Sequence, residues 1–333
     1  MRSASLWSGS PTITHKAKVA WKDLCCPKEE GGLGIRRLCD TSRVFALSLI
    51  WKLFSLSGSL WVAWTREFLL KASSHWDAKE NKGSWIWRKL LKLRPLAYEF
   101  IRYEVKDGKS IFFWFDNWLQ TGKLLSLTGD LGIRYLGVHR SAILAEASED
   151  GNWLIRRIPD VTAGPDIALW RHEQDDFKPS FSAAKTWNNM RLTQSKVPWH
   201  RLVWFPQAIP RQSFMVWLAI KDRLSTGVRM RIWMNIAQKL LGAAITPDWE
   251  GTIVTLLKPN CHKLDIILLR LAFQSAIYTL WRERNSRRHG GPSVVMTNRT
   301  IGKLVKNRIT SFKYKGTHKL EGLMRRWFEV YSD

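Results

Sequence analysis

Acidic residues are scarce in this chain: 28 Asp and Glu face 53 Lys and Arg, leaving a formal charge of +25 and a pI near 10.2. That imbalance points to polyanionic partners: nucleic acid is the expected one, an anionic membrane surface is the lesser competitor, and no membrane partner is assigned. Cysteine is equally sparse. Cys25, Cys26, Cys39 and Cys261 form no C-x-x-C pair, and the adjacent Cys25-Cys26 cannot easily chelate one metal together. Residues 1–20 hold no apolar core of a secretory signal, so an intracellular, reduced protein of nucleus or cytoplasm is expected, not a secreted one. Long apolar runs are nearly absent. Residues 264–281 form the one candidate, but Asp265, Arg270, Gln274, Ser275 and Thr279 interrupt it. A central Arg costs about 2.5–3.5 kcal/mol on insertion scales, so a buried core helix is predicted there.

Signatures of catalysis are missing as well. Gly31, Gly32 and Gly34 lie in a glycine-rich stretch, but no Gly-Lys-Ser/Thr follows and no strand precedes it, which makes it a structural turn. The carboxylates of Glu173-Gln174-Asp175-Asp176 follow no aromatic-X pair and have no distant third aspartate in a recognisable context. They are expected in a solvated turn, not around magnesium. Cys261-His262 supplies two donors with nothing nearby to complete four. No catalytic, cofactor-binding or metal-binding residue is assigned, and the chain is not expected to be an enzyme.

What is present is tryptophan and helical periodicity. Twenty Trp in 333 residues, with 45% hydrophobic content, provide a core, and most of these rings are expected to pack, with a minority free to stack on bases. The fold class predicted is α+β, mainly α: helical segments with short β-hairpins, rich in Trp and without a polymerase palm. Helices are predicted over 41–55, 60–71, 85–93 and 96–101. Asp107-Gly108 between β-formers predicts a hairpin pairing 103–105 with 111–115. Scattered glycines mark 122–164 as a linker with a short helix at 141–147. Strands at 166–170 and 177–181 flank the acidic turn, and helices follow at 183–192, 210–224, 228–233, 264–288, 298–312 and 319–331. Five regions result: 1–80, 81–121, the linker 122–164, 165–240, and a basic helical region 241–333.

The stretch 209–233, with Pro198-Trp199, Val203-Trp204-Phe205 and Ala208-Ile209-Pro210, closely resembles the "zinc-binding in reverse transcriptase" domain. That domain lies near the C-terminus of polyproteins from plant LINE-type (non-LTR) retroelements, and the resemblance runs from Ser5-Leu6-Trp7-Ser8-Gly9 to Arg326-Trp327-Phe328. It implies that residues 1–80 follow a polymerase core, that the polymerase aspartates lie upstream, and that Met1 is a start inside a once longer frame. In the family, the helical hairpin leads into C-x-x-C and later H-x-x-x-x-C. Here Met234-Asn235 runs straight into Ile236-Ala237-Gln238, and no Cys or His stands between Trp233 and Pro259. A domain shorn of its zinc knuckle is the expectation.

Cationic residues complete the account. Lys221, Arg223, Arg229 and Arg231 flank the turn of the predicted hairpin. Arg282, Arg284, Arg287 and Arg288 crowd the end of the long helix, and Lys303, Lys306 and Arg308 continue the character. Four arginines in seven residues exceed what a negative helix end requires. These eleven are the candidate nucleic-acid contacts, of the kind that grip phosphate without reading sequence. The function expected is that of a non-catalytic, retroelement-derived fragment that binds RNA or DNA non-specifically. An inert relic or a Trp-rich protein-interaction module are the alternatives, and an active RNA-directed DNA polymerase is not expected.

Overall fold

The computed structural model describes residues 18–71, 73–79, 83–119, 121–149, 161–224, 237–241, 248–257, 261–290, 298–312, 320 and 322–331. The chain divides into two compact units: a central unit, residues 36–193, and a terminal unit made of residues 1–35 and 194–333. The class is α+β and mainly α, as the sequence predicts, with one three-stranded antiparallel sheet among the described residues.

The central unit opens with α1, Leu38–Phe54, whose buried Val44, Leu47, Ile50 and Trp51 sit at helical spacing. It starts three residues before the predicted Thr41. Next comes α2, Leu60–Trp64, which widens into a π-helical stretch, Thr65–Leu70, and stops at left-handed Lys71. The Ser84 hydroxyl accepts from the Trp87 N–H and caps α3, Trp85–Lys92; α4, Arg94–Tyr98, carries Pro95 in its first turn, where no N–H is needed.

The hairpin predicted at Asp107-Gly108 does not form. Strand β1, Ile101–Glu104, pairs instead with β2, Ile167–Arg171, in the register Ile101↔Trp170 and Glu104↔Ile167. The cause is the Asp166 carboxylate. It accepts from the N–H groups of Lys106, Gly108 and Ser110 at 2.8–3.1 Å and from the Ser110 hydroxyl at 3.0 Å. Those bonds hold 106–110 as a loop. Asp116 then accepts from the Phe112 N–H at 2.7 Å and curls 112–116 into a turn, burying Phe113, Trp114 and Phe115 together. The acidic turn does join paired strands: β2 continues into β3, Phe177–Lys178, and the turn's acids meet cations, Glu173 with Lys185 and Asp176 with Lys178.

Residues 122–164 are also not a bare linker. They carry α5, Leu124–Leu136, interrupted at Gly129, and α6, Leu144–Glu149. Val138, Ala142, Leu144 and Ala147 join the core that Trp51, Trp114 and Trp170 fill. Glycine spacing signals the breaks between these short helices and not the burial they contribute. The unit closes with α7, Ala183–Met190, capped by Ser182; the Thr186 hydroxyl on α7 accepts from the buried Trp170 indole at 2.9 Å.

In the terminal unit the two ends of the sequence share one core. The glycine turn is structural, as predicted: Gly31 is left-handed, and its carbonyl accepts from the Trp217 indole at 2.9 Å. A Cβ on Gly32 would overlap the Cys26 carbonyl. Helix α8 is His200–Val203, α9 is Pro210–Ile220, α10 is Trp249–Leu257, α11 is Lys263–Arg288, α12 is Asn298–Thr310 and α13 is Leu323–Tyr331. The second helix predicted at 228–233 lies outside the described residues. Helix α11 is long and apolar enough to cross a membrane, yet 61% of its apolar window is buried within the protein. Its polar residues explain themselves against α8 and α9. Ser275 donates to Gln212 at 3.0 Å and Ser213 to Gln274 at 3.3 Å, while the Gln274 amide caps the Leu202 and Val203 carbonyls.

The unit boundaries, near 35/36 and 193/194, differ from the five regions predicted. A sequence read in order has no means of showing that residues 18–35 pack with residues from 194 onward.

Candidate nucleic-acid interface

Charge is unequal between the units. The terminal unit holds 29 Lys and Arg against 11 Asp and Glu, or +18; the central unit holds 24 against 17, or +7. Most of the excess therefore belongs to the helical unit in which all eleven candidate residues fall.

The contacts between α9 and α11 fix where those residues stand. Arg211 lies over the Tyr278 ring at 5.4 Å, Gln212 meets Ser275 and Ser213 meets Gln274, so the two helices run antiparallel. Lys221 and Arg223 follow the end of α9, toward the start of α11. Arg282, Arg284, Arg287 and Arg288 lie beyond the opposite end of the pair. At 1.5 Å per residue the two groups are separated by roughly 25 Å along the axis. They are two cationic ends and not one patch.

Lys221 is half-buried over the Trp199 ring at 5.8 Å, and Arg223 is exposed. Arg229 and Arg231 lie outside the described residues. At the other end Arg282, Arg287 and Arg288 are exposed and Arg284 is half-buried. Arg287 is tied to Glu283, one turn back, at 2.7 Å. Among the described residues no carboxylate pairs with Arg282, Arg284 or Arg288. Three cations on the last two turns of α11 thus remain available to an anion from outside, beyond what the helix dipole needs.

On α12, Lys303 and Lys306 are exposed, the latter 5.3 Å from the Phe328 ring centroid. Arg308 is different in kind. Its guanidinium donates to the Gln207 carbonyl at 2.7 Å and to the Ala208 carbonyl at 3.0 Å, and it lies 4.9 Å from the Phe312 ring. It fastens α12 to the entry of α9. A comparable role falls to Arg326, which grips the buried Asp265 with two bonds of 2.7 and 3.1 Å and has its pKa raised chiefly by them.

Tryptophan is mostly consumed by packing. Among the described residues only Trp64 and Trp85 are exposed, Trp64 stacked on Phe68 and Trp85 beneath the Lys89 ammonium at 5.0 Å. Both belong to the central unit, which carries the smaller net charge.

Among the described residues no group of three or more His, Cys, Asp or Glu is placed to hold a metal ion. Cys261 has its thiol pKa raised, first by burial and then by Asp265, opposite to what a metal thiolate needs. The His262 ring accepts from the Leu264 N–H and caps α11.

A polar cluster that no sequence pattern marks lies in the central unit. His75 is buried with both ring nitrogens unpartnered, and burial, then Arg94 and Lys123, lower its pKa to about 3. Asp116, buried against Trp76, is pushed up to about 7 by burial, although the Phe112 N–H and the Trp76 indole oppose the shift. Only the tertiary fold brings residues 75 and 116 together.

Residues 181–240 match the family described as zinc-binding in reverse transcriptase. The chain is also similar to the Arabidopsis thaliana protein named "Putative ribonuclease H protein", at 30% identity over 131 residues, which cover 37% of this chain and 20% of that protein. Together these findings support a retroelement-derived protein, of which the chain spans about a fifth of the relative's length. No solved structure matches the chain. The match begins at α7 in the central unit and continues through α8 and α9 of the terminal unit.

Proposed function

We propose that the chain is a non-catalytic, nucleic-acid-associated protein descended from a LINE-type retroelement, and that its terminal unit binds phosphate backbones without sequence preference. The observation that carries this reading is the end of α11, where, among the described residues, Arg282, Arg284 and Arg288 stand without carboxylate partners in a unit of charge +18. Phosphate is the abundant polyanion that such a surface fits, and an electrostatic grip of this kind positions a strand without reading bases. The matched segment, residues 181–240, carries α7, α8 and α9, and the 25 residues 234–258 contain no Cys or His, which supports this reading. On this reading the knuckle is deleted, the polypeptide is a truncated form of a longer ancestor, and its place is the nucleus or cytoplasm.

The test uses purified full-length chain with labelled single-stranded RNA of several unrelated sequences, read by fluorescence anisotropy. Similar affinities that weaken steeply with salt are the expected outcome. Absence of binding at low salt, or magnesium-dependent primer extension by the chain alone, contradicts the proposal. Stoichiometric tightly held zinc contradicts the deleted knuckle.

A further inference from the structure

The central unit carries a cleft of about 920 Å³ that the terminal-unit reading does not use. Its making begins with Arg94 at the start of α4. The guanidinium donates to the carbonyls of Leu91 at 2.9 Å, Trp76 at 3.1 Å and Ala78 at 2.7 Å. Those bonds draw the 75–79 loop against the corner between α3 and α4. Lys123, the residue before α5, lies half-buried with its ammonium 5.0 Å from the Tyr98 ring centroid and 5.5 Å from that of Trp76. Exposed Lys79 and Lys92 also line the cleft.

Asp77 lines the cleft as well, so its charges cancel only in part: one carboxylate stands against Lys79, Lys92, Arg94 and Lys123. Among the described residues no carboxylate bonds to Lys123. Asp116 gives its two oxygens to the Trp76 indole and the Phe112 N–H, each at 2.7 Å, and Asp77 is held by Arg140 at 2.9 Å. Burial, and then Arg94, lower the Lys123 pKa, and the nearby Asp116 and Asp77 oppose the shift without reversing it. The Tyr98 hydroxyl is buried without a hydrogen-bond partner. An ammonium partly withdrawn from water and facing further cations is destabilised, and an anion in the cleft relieves it. Lys92 alone is explained by the end of α3, whose negative pole it suits. Lys79 and Lys123 have no such explanation.

We propose that this cleft binds a phosphate group, with Lys123 as its half-buried anchor and Lys79 and Lys92 at its exposed rim. Phosphate presents several strong acceptor oxygens to three ammoniums that act as point charges. The rings of Trp76 and Tyr98 keep water from one side of Lys123 and strengthen the contact. The group belongs either to a small phosphorylated molecule or to a nucleic-acid backbone, and the site is independent of the arginines on α11.

Equilibrium dialysis of the full-length chain against labelled inorganic phosphate tests it. The variants are Lys123→Met, the rim pair Lys79→Gln/Lys92→Gln, and a control matched in charge to the pair, Lys178→Gln/Lys185→Gln, whose ammoniums serve Asp176 and Glu173 elsewhere. Wild type and control bind phosphate saturably, and each cleft variant binds about tenfold more weakly. With a single-stranded oligonucleotide as second probe, a backbone source lowers the salt slope by about 0.7 for each phosphate no longer neutralised, whereas a small-molecule source leaves it unchanged. Neutralising Arg282, Arg284, Arg287 and Arg288 leaves phosphate uptake intact, which separates this site from the terminal-unit surface. Equal phosphate binding in the control and the rim pair, or no saturable binding by wild type, overturns the proposal. Because the rim lysines are exposed, that pair decides the matter even where Lys123→Met fails to fold.

Discussion

Asp116 and His75 illustrate how a single buried side chain ties the central unit to pH. Unfolded, Asp116 titrates near 3.8; folded, near 7. Between these values the fold binds one proton more than the unfolded chain, so Asp116 makes stability fall as pH rises from about 4 to about 7. His75 works in the opposite sense. Its pKa drops from 6.5 to about 3 on folding, so the fold binds one proton fewer and stability falls as pH drops from about 6.5 toward 3. Over roughly pH 4 to 6.5 the two slopes cancel. Asp116→Asn leaves His75 alone, and its urea midpoint should rise with pH across that window, by up to about 1.4 kcal/mol of stability per pH unit. His75→Phe should show the reverse, a midpoint that falls as pH rises. Parallel pH profiles for the two variants would refute the assignment. Neither residue was legible as a pair in the sequence, because 41 positions separate them and no local pattern marks either as buried.

At the scale of elements, periodicity served well where a helix buries one face. The positions Val44, Leu47, Ile50 and Trp51 were readable in α1, and Pro210 at the start of α9 was too. Strand pairing was not. Asp-Gly between aromatic runs carries the turn chemistry of a hairpin, but Asp166, 58 residues beyond Gly108, captures the loop's N–H groups and frees β1 for β2. Local turn preference lost to a long-range carboxylate. The polar residues of α11 teach a related lesson: in sequence they only argued against a membrane span, whereas in the fold they set the register of α8, α9 and α11. Gln274→Leu leaves the Ser213 hydroxyl and the Leu202 and Val203 carbonyls short of partners inside the core. Thermal melts should show a loss of about 1–3 kcal/mol for that variant. An unchanged melt would mean the network contributes nothing to stability.

For the whole molecule, each unit has its own hydrophobic core, one centred on Trp217, Phe273 and Trp327 and the other on Trp51, Trp114 and Trp170. Calorimetry should accordingly place the effect of Asp116→Asn in one transition and that of Gln274→Leu in another, and a single transition displaced equally by both would count against separate cores. The basic excess was plain from composition, but its concentration was not. The candidate cations among the described residues separate into opposite ends of a helix pair, a fastener in Arg308, and the exposed lysines of α12. Of these groups, the end of α11 is where three arginines stand together without carboxylate partners. The most direct test of that site is the slope of log K against log salt for single-stranded RNA, compared between wild type and a variant with Arg282, Arg284, Arg287 and Arg288 changed to Gln. The account predicts that the slope shrinks by roughly 2–3, at about 0.7 for each phosphate no longer neutralised, with the melt unchanged. A folded variant that binds with the wild-type slope would contradict it.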